Sequence, residues 1–463
     1  MRNLFNIRTV AVAAVAALLF TVQGCGVSKK CIEPQLELPQ TIVAGNYADS
    51  LCMADIEWSR MFSDTLLQDL IEQALLNNRD MLIATARVKE LAERHRVARA
   101  DFFPSISANT YAERDIYDYA SGNFTQDDEV GINASLSWEL DFFGSIRWAN
   151  KKALAEYMSS VEAQRYMQMT IVAEVATAYF ELVALDNELD VVQRTLRTRE
   201  ENMQYTKLRY DGGLTTPVPY QQSQVEYATT ASLVPDLKKQ VEIKKNEISL
   251  LTGEFPKEII RSGNDMEVMD SLISQIGIPS DLIRRRPDIR EAELALKAAM
   301  ADAGIAWADR FPRFTISLKG GAENDSFSKL LTAPFTYVAG EIIAPIFSFG
   351  KKQAQYRAAI QAYEQQRYAY EQKVMEAFKE VNDALVSYTS ARERQKLMGN
   401  LKDASLKYME VTRTQYVNGY VNYIDVLDAQ RSYFNAEIDL GNAVRDEHIA
   451  LVNLYKALGG GWR

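Results

Sequence analysis

Ile132-Asn133-Ala134-Ser135-Leu136-Ser137-Trp138-Glu139-Leu140-Asp141-Phe142 alternates apolar and polar side chains without a break over eleven residues. Successive side chains of a strand point to opposite faces, so one face of this one is greasy and the other wet. Eleven residues is the length of a tilted transmembrane β-strand, and Trp138, Phe142 and Phe143 at its end suit a membrane-interface girdle. A soluble hairpin packed on its own helices reads the same way over one segment, so the flanking sequence has to separate the two.

Downstream, Ser145 to Tyr210 holds neither Gly nor Pro across 66 residues and is rich in Ala, Glu, Gln, Arg and Lys. This predicts a helix of roughly 100 Å, too long for one compact core to cover. It ends at Asp211-Gly212-Gly213, where glycine can take a left-handed C-cap, and a return helix is expected over 219–251. The same order recurs: Lys351 to Asn418 contains only Gly399, turns at Gly419 and returns over 423–458. Shorter helices are expected over 64–101 and 280–309. A return helix and a short helix laid end to end match one long helix, which predicts an antiparallel array with coiled-coil-like seams.

The chain is one unit written twice. Gly144 and Gly350, Glu174 and Glu380, Tyr210 and Tyr416, Gly213 and Gly419, and Gly253 and Gly459 are all 206 residues apart. Asp80 and Asp288, and Pro104 and Pro312, are 208 apart, so an indel lies between Pro104 and Gly144. Repeat 1 is expected over 61–270, with a β-hairpin over 105–143 and a long helix over 145–210. Repeat 2 is expected over 271–463, with a β-hairpin over 314–347 and a long helix over 351–418.

The N-terminus is an address. Arg2 and Arg8 precede the apolar run Thr9 to Val22, which is long enough for a signal peptide and short for a membrane span. The run ends in Val22-Gln23-Gly24-Cys25, which resembles a bacterial lipobox despite Gln23. The expectation is a signal peptide over 1–24 with Cys25 the lipid attachment residue of an extension over 25–60, the alternative being a conventional signal peptide cleaved elsewhere with Cys25 incidental. Loss of Arg2 and Arg8 takes the formal charge from −10 to −12. No Lys/Arg block offers nucleic acid a surface. Cys31 and Cys52 are either bridged in an oxidising periplasm or two free thiols. No other apolar run approaches a membrane helix.

Four strand segments, around 105–119, 132–142, 314–321 and 335–347, cannot close a barrel, and an open edge in lipid leaves backbone groups unsatisfied. The chain must therefore oligomerise, with two, three or four copies giving 8, 12 or 16 strands. The fold class is mainly α with a membrane β part, in two tandem repeats.

Ile278-Pro279-Ser280-Asp281-Leu282-Ile283-Arg284-Arg285-Arg286-Pro287-Asp288-Ile289-Arg290 resembles the opening of the second repeat in the TolC-like outer-membrane factor family. Within that family the resemblance is to the NodT-type lipoprotein branch that serves RND efflux pumps. Trp138 to Gly144, Ala173 to Leu182 and Tyr423 to Arg431 resemble it as well. The resemblance implies a homotrimer with a 12-strand outer-membrane barrel and a helical tunnel in the periplasm. It implies a passive duct that works with a periplasmic adaptor and an inner-membrane RND transporter.

The family's pore constriction matches Ile424 and, one turn deeper, Asp428, three copies of which would favour cations. Tyr210, Asp211, Tyr416 and Asp425 are helix-tip candidates, the tyrosines either hydrogen bonding across the closed tips or packing there. Gly213 and Gly419 mark candidate adaptor contacts. Pro217 and Pro219 stand where repeat 2 has Tyr423 and Asp425, so the two turns should not move alike. Arg284 to Arg286 are expected to pair with acidic neighbours rather than bind anions. The sequence contains no Gly-x-Ser-x-Gly, His-Glu-x-x-His or Walker motif, which argues against an enzyme, a metal site or any cofactor beyond lipid on Cys25. The alternatives are a duct of a type I protein-secretion system and a non-channel coiled-coil lipoprotein.

Overall fold

The computed structural model describes residues 31, 56–118, 124–262 and 285–462. Cys25, Cys52, Arg284 and most of the 278–290 motif lie outside them. In chain order the elements are α1 (Trp58–Met61), α2 (Thr65–Asn77), α3 (Arg79–Ala100), β1 (Ser105–Asp118), β2 (Phe124–Leu140), α4 (Ser145–Asp211) and α5 (Pro217–Leu251). Then follow α6 (Pro287–Ala308), β3 (Arg313–Asn324), a 3-10 turn (Phe327–Thr332), β4 (Pro334–Ile343), α7 (Lys351–Val417) and α8 (Tyr423–Ala457).

The duplication is now visible in the backbone. The long helices α4 and α7 have 67 residues each and the return helices α5 and α8 have 35 each, all offset by 206. Helices α3 and α6 have 22 each, offset by 208. Gly144, Gly213 and Gly253, and their partners Gly350, Gly419 and Gly459, all have φ between 67° and 89°. An L side chain is strained there, which is why glycine stands at both copies of each position.

Five expectations need correction. The helix expected over 280–309 has a non-helical Arg286, and α6 starts at Pro287. The strand expected over 132–142 starts at Phe124 and ends at Leu140. The helix expected over 64–101 is two helices, because Asn78 breaks it with extended backbone at ψ 132°. Return helix α5 starts at Pro217, since proline fits the first turn, where its missing N–H has no partner to lose. Strand β4 stops at Ile343, two residues short of Pro345, so the expected strand through 347 is too long.

The chain forms two compact units. The first comprises Cys31 and the described residues within 87–161 and 291–372. Its sheet is antiparallel in the order β1-β2-β3-β4. The register aligns Ile106, Leu136, Leu318 and Val338 in one cross-strand row and Ser107, Ser135, Lys319 and Tyr337 in the next. One face is therefore apolar across all four strands and the other polar. On the polar face Tyr111 lies over Gly131, whose missing Cβ makes room for the ring, and its hydroxyl donates to Glu129 at 2.5 Å and lies 3.1 Å from Glu323. In the same unit, Tyr356, Tyr363 and Tyr370 recur every seven residues along α7 and are all buried, a heptad seam. Trp148 of α4 packs onto Gly304 of α6, and Lys152 pairs with Asp302 at 2.7 Å. Cys31 is a buried free thiol whose pKa burial pushes up to about 11.

The second unit comprises the described residues within 56–86, 162–262, 285–290 and 373–462. Its core gathers Leu67 and Ile71 of α2, Val175, Tyr179 and Leu182 of α4, Ile248 of α5, Leu385 and Tyr388 of α7 and Leu454 and Tyr455 of α8. Helix α4 contains one window apolar enough to cross a membrane, but 61% of it is buried in the fold. That run is core. Arg286 pairs with Asp288 at 2.7 Å and Glu380 at 2.6 Å, the acidic neighbours expected of it.

Candidate functional site

The candidate residues lie at the two helix turns of the second unit, and both turns close by the same hydrogen bonds. Gly213 N–H donates to the Tyr210 carbonyl and Leu214 N–H to that of Arg209. Gly419 donates to Tyr416 and Tyr420 to Gln415, at the same offsets. This is the two-bond C-cap in which a left-handed glycine lets the chain leave the helix. No atom lies within 4 Å of where a side chain would begin at Gly213 or Gly419.

Beyond the turns the repeats differ. Helix α8 opens with Asn422, whose N–H donates to the Asp425 carboxylate at 2.9 Å. Asp425 is thus occupied in capping its own helix. Helix α5 opens on Pro217 in place of that arrangement.

The hairpin of repeat 1 is stitched by buried polar contacts. Thr206 and Ser223 hydroxyls lie 2.8 Å apart. Arg199 pairs with Glu226 at 2.8 Å and donates to Thr230 at 2.5 Å, with both ion partners under 10% exposed. On its other side Glu226 accepts from Arg431 of α8 at 2.8 Å, which ties the repeat 2 return helix to repeat 1. Burial draws the Arg199 guanidinium below its ordinary pKa despite Glu226, and Arg431 is raised by its bond to Glu226. In repeat 2 the positions of Arg199, Ser223, Glu226 and Thr230 hold Ser405, Ala429, Ser432 and Ala436, which cannot form this lattice.

Ile424 and Asp428 are both exposed and one turn apart, so they share a face of α8. Tyr408 of α7 donates to Asp428 at 3.3 Å, and desolvation together with that carboxylate raises the Tyr408 phenol. Tyr416 packs on Tyr423 at 5.7 Å between centroids, and the Arg209 guanidinium lies 5.9 Å from the Tyr416 ring. Tyr210 stacks on Tyr220 at 6.2 Å. The two tyrosines are therefore placed by ring packing. Burial, with Tyr416 and Glu226 alongside, pushes the Tyr423 phenol up to about 12. Asp211 is exposed at the end of α4.

Arg199, Glu226, Thr230 and Arg431 escaped the sequence reading. The signal that could have found them is the mismatch between repeats: charged residues at hairpin positions whose counterparts are serine or valine. Among the described residues, no group of His, Cys, Asp and Glu could hold a metal ion.

With this geometry in hand, comparison with known proteins is specific. The sequence profile of the outer membrane efflux protein family matches residues 70–254 and 278–460. The chain is 29% identical over 476 residues to TtgC of Pseudomonas putida, a probable efflux pump outer membrane protein, spanning 98% of this chain and 96% of that protein. It is 29% identical over 456 residues to the cation efflux system protein CusC of Escherichia coli, spanning 95% and 96%. Among solved structures it is similar to the outer-membrane channel OprN, with a TM-score of 0.85 at 27% identity over 93% of this chain and 99% of that one. The open state of the Neisseria gonorrhoeae MtrE channel gives 0.81 at 27%, over 93% and 97%.

Proposed function

The chain belongs to the outer membrane efflux protein family, and from that premise we propose that three copies form the passive exit duct of a tripartite efflux pump. The observation that carries this is the four-stranded sheet, which has an apolar face across every strand and two unpaired edges, β1 and β4. Such edges are tolerable in lipid only if another copy pairs with them, and three copies give a 12-strand barrel with a polar lumen.

The duct does no chemistry. An inner-membrane RND transporter supplies the work, and a periplasmic adaptor docks at the turns around Gly213 and Gly419, where open space is left for a partner. Lipid on Cys25 anchors the chain to the outer membrane. Ile424 and Asp428 form the constriction, with Tyr210, Asp211 and Tyr416 at the tips around it. Repeat 1 is the fixed wall, because Arg199, Glu226 and Thr230 lock its hairpin. The repeat 2 hairpin is the moving element, held shut mainly through Arg431 and Glu226. The relatives are named for efflux, which favours that cargo route over protein secretion. A purely structural coiled-coil lipoprotein would leave the sheet without a role.

Planar-bilayer recording of the purified, lipidated protein tests the reading. Stepwise conductance from trimers is expected. A monomer that neither inserts nor conducts would overturn it.

A further inference from the structure

The two ends of the sheet carry opposite charge. At the hairpin end, residues 113–116, 126–130 and 323–334 hold seven Asp/Glu against two Lys/Arg. At the end from which the helices leave, residues 96–104, 139–153, 302–313 and 350–352 hold nine Lys/Arg against five Asp/Glu, in a chain whose overall charge is −10. A basic collar in an acidic protein is a local feature that net charge does not predict.

The collar adjoins a belt of aromatics in the same unit. Phe142 packs on Phe314 at 4.8 Å and Phe143 on Phe311 at 4.7 Å, and Trp138 donates its indole N–H to the Phe102 carbonyl at 3.0 Å. Phe103, Phe347 and Phe349 are more than two-thirds exposed. Three exposed cations lie two to eight residues from these aromatics: Arg99 three before Phe102, Lys151 eight after Phe143 and Lys351 two after Phe349. Among the described residues none of the three is ion-paired, and the Lys151 ammonium lies 4.5 Å over the Trp148 ring. A headgroup layer is several ångströms deep, and lysine or arginine reaches it by extending its charge past the aromatic level.

We propose that Arg99, Lys151 and Lys351 form a binding surface for anionic phospholipid headgroups in the membrane leaflet that faces the helices. The inference rests on the duct reading, which places this end of the sheet at the periplasmic side. The chemistry is that of a juxtamembrane basic cluster: each cation near an anionic surface raises lipid affinity on the order of fivefold, and salt weakens the attraction.

The test uses the full-length trimer in lipid nanodiscs containing equal phosphatidylglycerol and phosphatidylcholine. Lipid retained on the extracted trimer is counted by native mass spectrometry. The wild type should retain phosphatidylglycerol roughly fivefold over phosphatidylcholine. The preference should vanish in the triple variant Arg99→Gln, Lys151→Gln, Lys351→Gln and persist in Arg99→Lys, Lys151→Arg, Lys351→Arg. No preference in the wild type, or one unchanged in the glutamine variant, overturns the proposal. Conductance in pure phosphatidylcholine is recorded alongside. If both proteins conduct there, the duct reading stands whatever the lipid result; if neither does, the duct reading fails and the collar loses its orientation.

Discussion

Asn78 and Arg286 stand 208 residues apart and do the same work. Asn78 donates its side-chain amide to the Leu251 carbonyl at 2.9 Å, and Arg286 donates its guanidinium to the Ala457 carbonyl at 2.9 Å. Leu251 and Ala457 are themselves 206 apart, the last residues of α5 and α8. Each repeat thus closes its return helix against the start of its short helix, with an amide in one case and a charge in the other.

The two replacements should differ in cost. Asn78→Ala leaves the Leu251 carbonyl without its partner, about 1–3 kcal/mol, and uncaps the Asp80 and Met81 N–H groups at the start of α3, about 1 kcal/mol more. Arg286→Ala leaves Asp288 buried without its counter-ion, about 3–5 kcal/mol. Chemical denaturation of each variant, compared with the wild type, measures both.

Glu226 joins Arg199 and Arg431. Glu226→Ala strands the buried Arg199 and should destabilise by about 3–5 kcal/mol, whereas Glu226→Gln keeps an acceptor and should cost less. In bilayers both variants should raise conductance by freeing α8. Wild-type conductance after either change would show that the tie does not hold the duct shut.

Asp428→Ala should lower cation selectivity, with the reversal potential in a salt gradient moving toward zero. Asp425→Ala should instead act on stability, by about 1 kcal/mol, because its carboxylate caps α8. Selectivity that follows Asp425 and ignores Asp428 would exchange their roles.

His448 is half-buried and stacks on Phe180 at 5.0 Å between centroids, and desolvation lowers its pKa. The unfolded chain takes up this proton near pH 6.5 while the folded chain resists it. The stability contributed is therefore present above about pH 6.5 and lost as pH falls through the lower folded value. Denaturation midpoints between pH 7.5 and 5 should slope downward, and His448→Gln should flatten the upper part of that slope.

Gly253→Ala should be costly for two reasons that add: φ is +73°, and the new Cβ would lie 2.3 Å from the Asn77 carbonyl oxygen. Gly419→Ala meets only the first, since nothing lies near it, and should cost about 1 kcal/mol. A larger melting-temperature drop for Gly253→Ala is the expected order.

Much of the fold was legible because it is punctuated. The Gly- and Pro-free run from Ser145 and the Asp211-Gly212-Gly213 turn locate α4 to within a residue. The break at Asn78 is easy to miss, since Asn77-Asn78 carries no glycine or proline: its side-chain oxygen caps α3 by accepting from the Asp80 and Met81 N–H groups, and only its amide reaches Leu251, 173 residues away. At the site, the shared face of Ile424 and Asp428 follows from helical spacing alone. The Arg199, Glu226 and Arg431 lattice spans separations of 27 and 205 residues, and only folding brings it together.

The unpaired edges of β1 and β4 make assembly a matter of quorum. A single sheet cannot settle in hydrocarbon, because every exposed N–H and C=O along its edges would lose its water without gaining a partner. Insertion and association are then one event, and a cell holding too few copies has no partial hole in its envelope. The same edges that make the chain helpless alone keep the membrane sealed until the ring is complete.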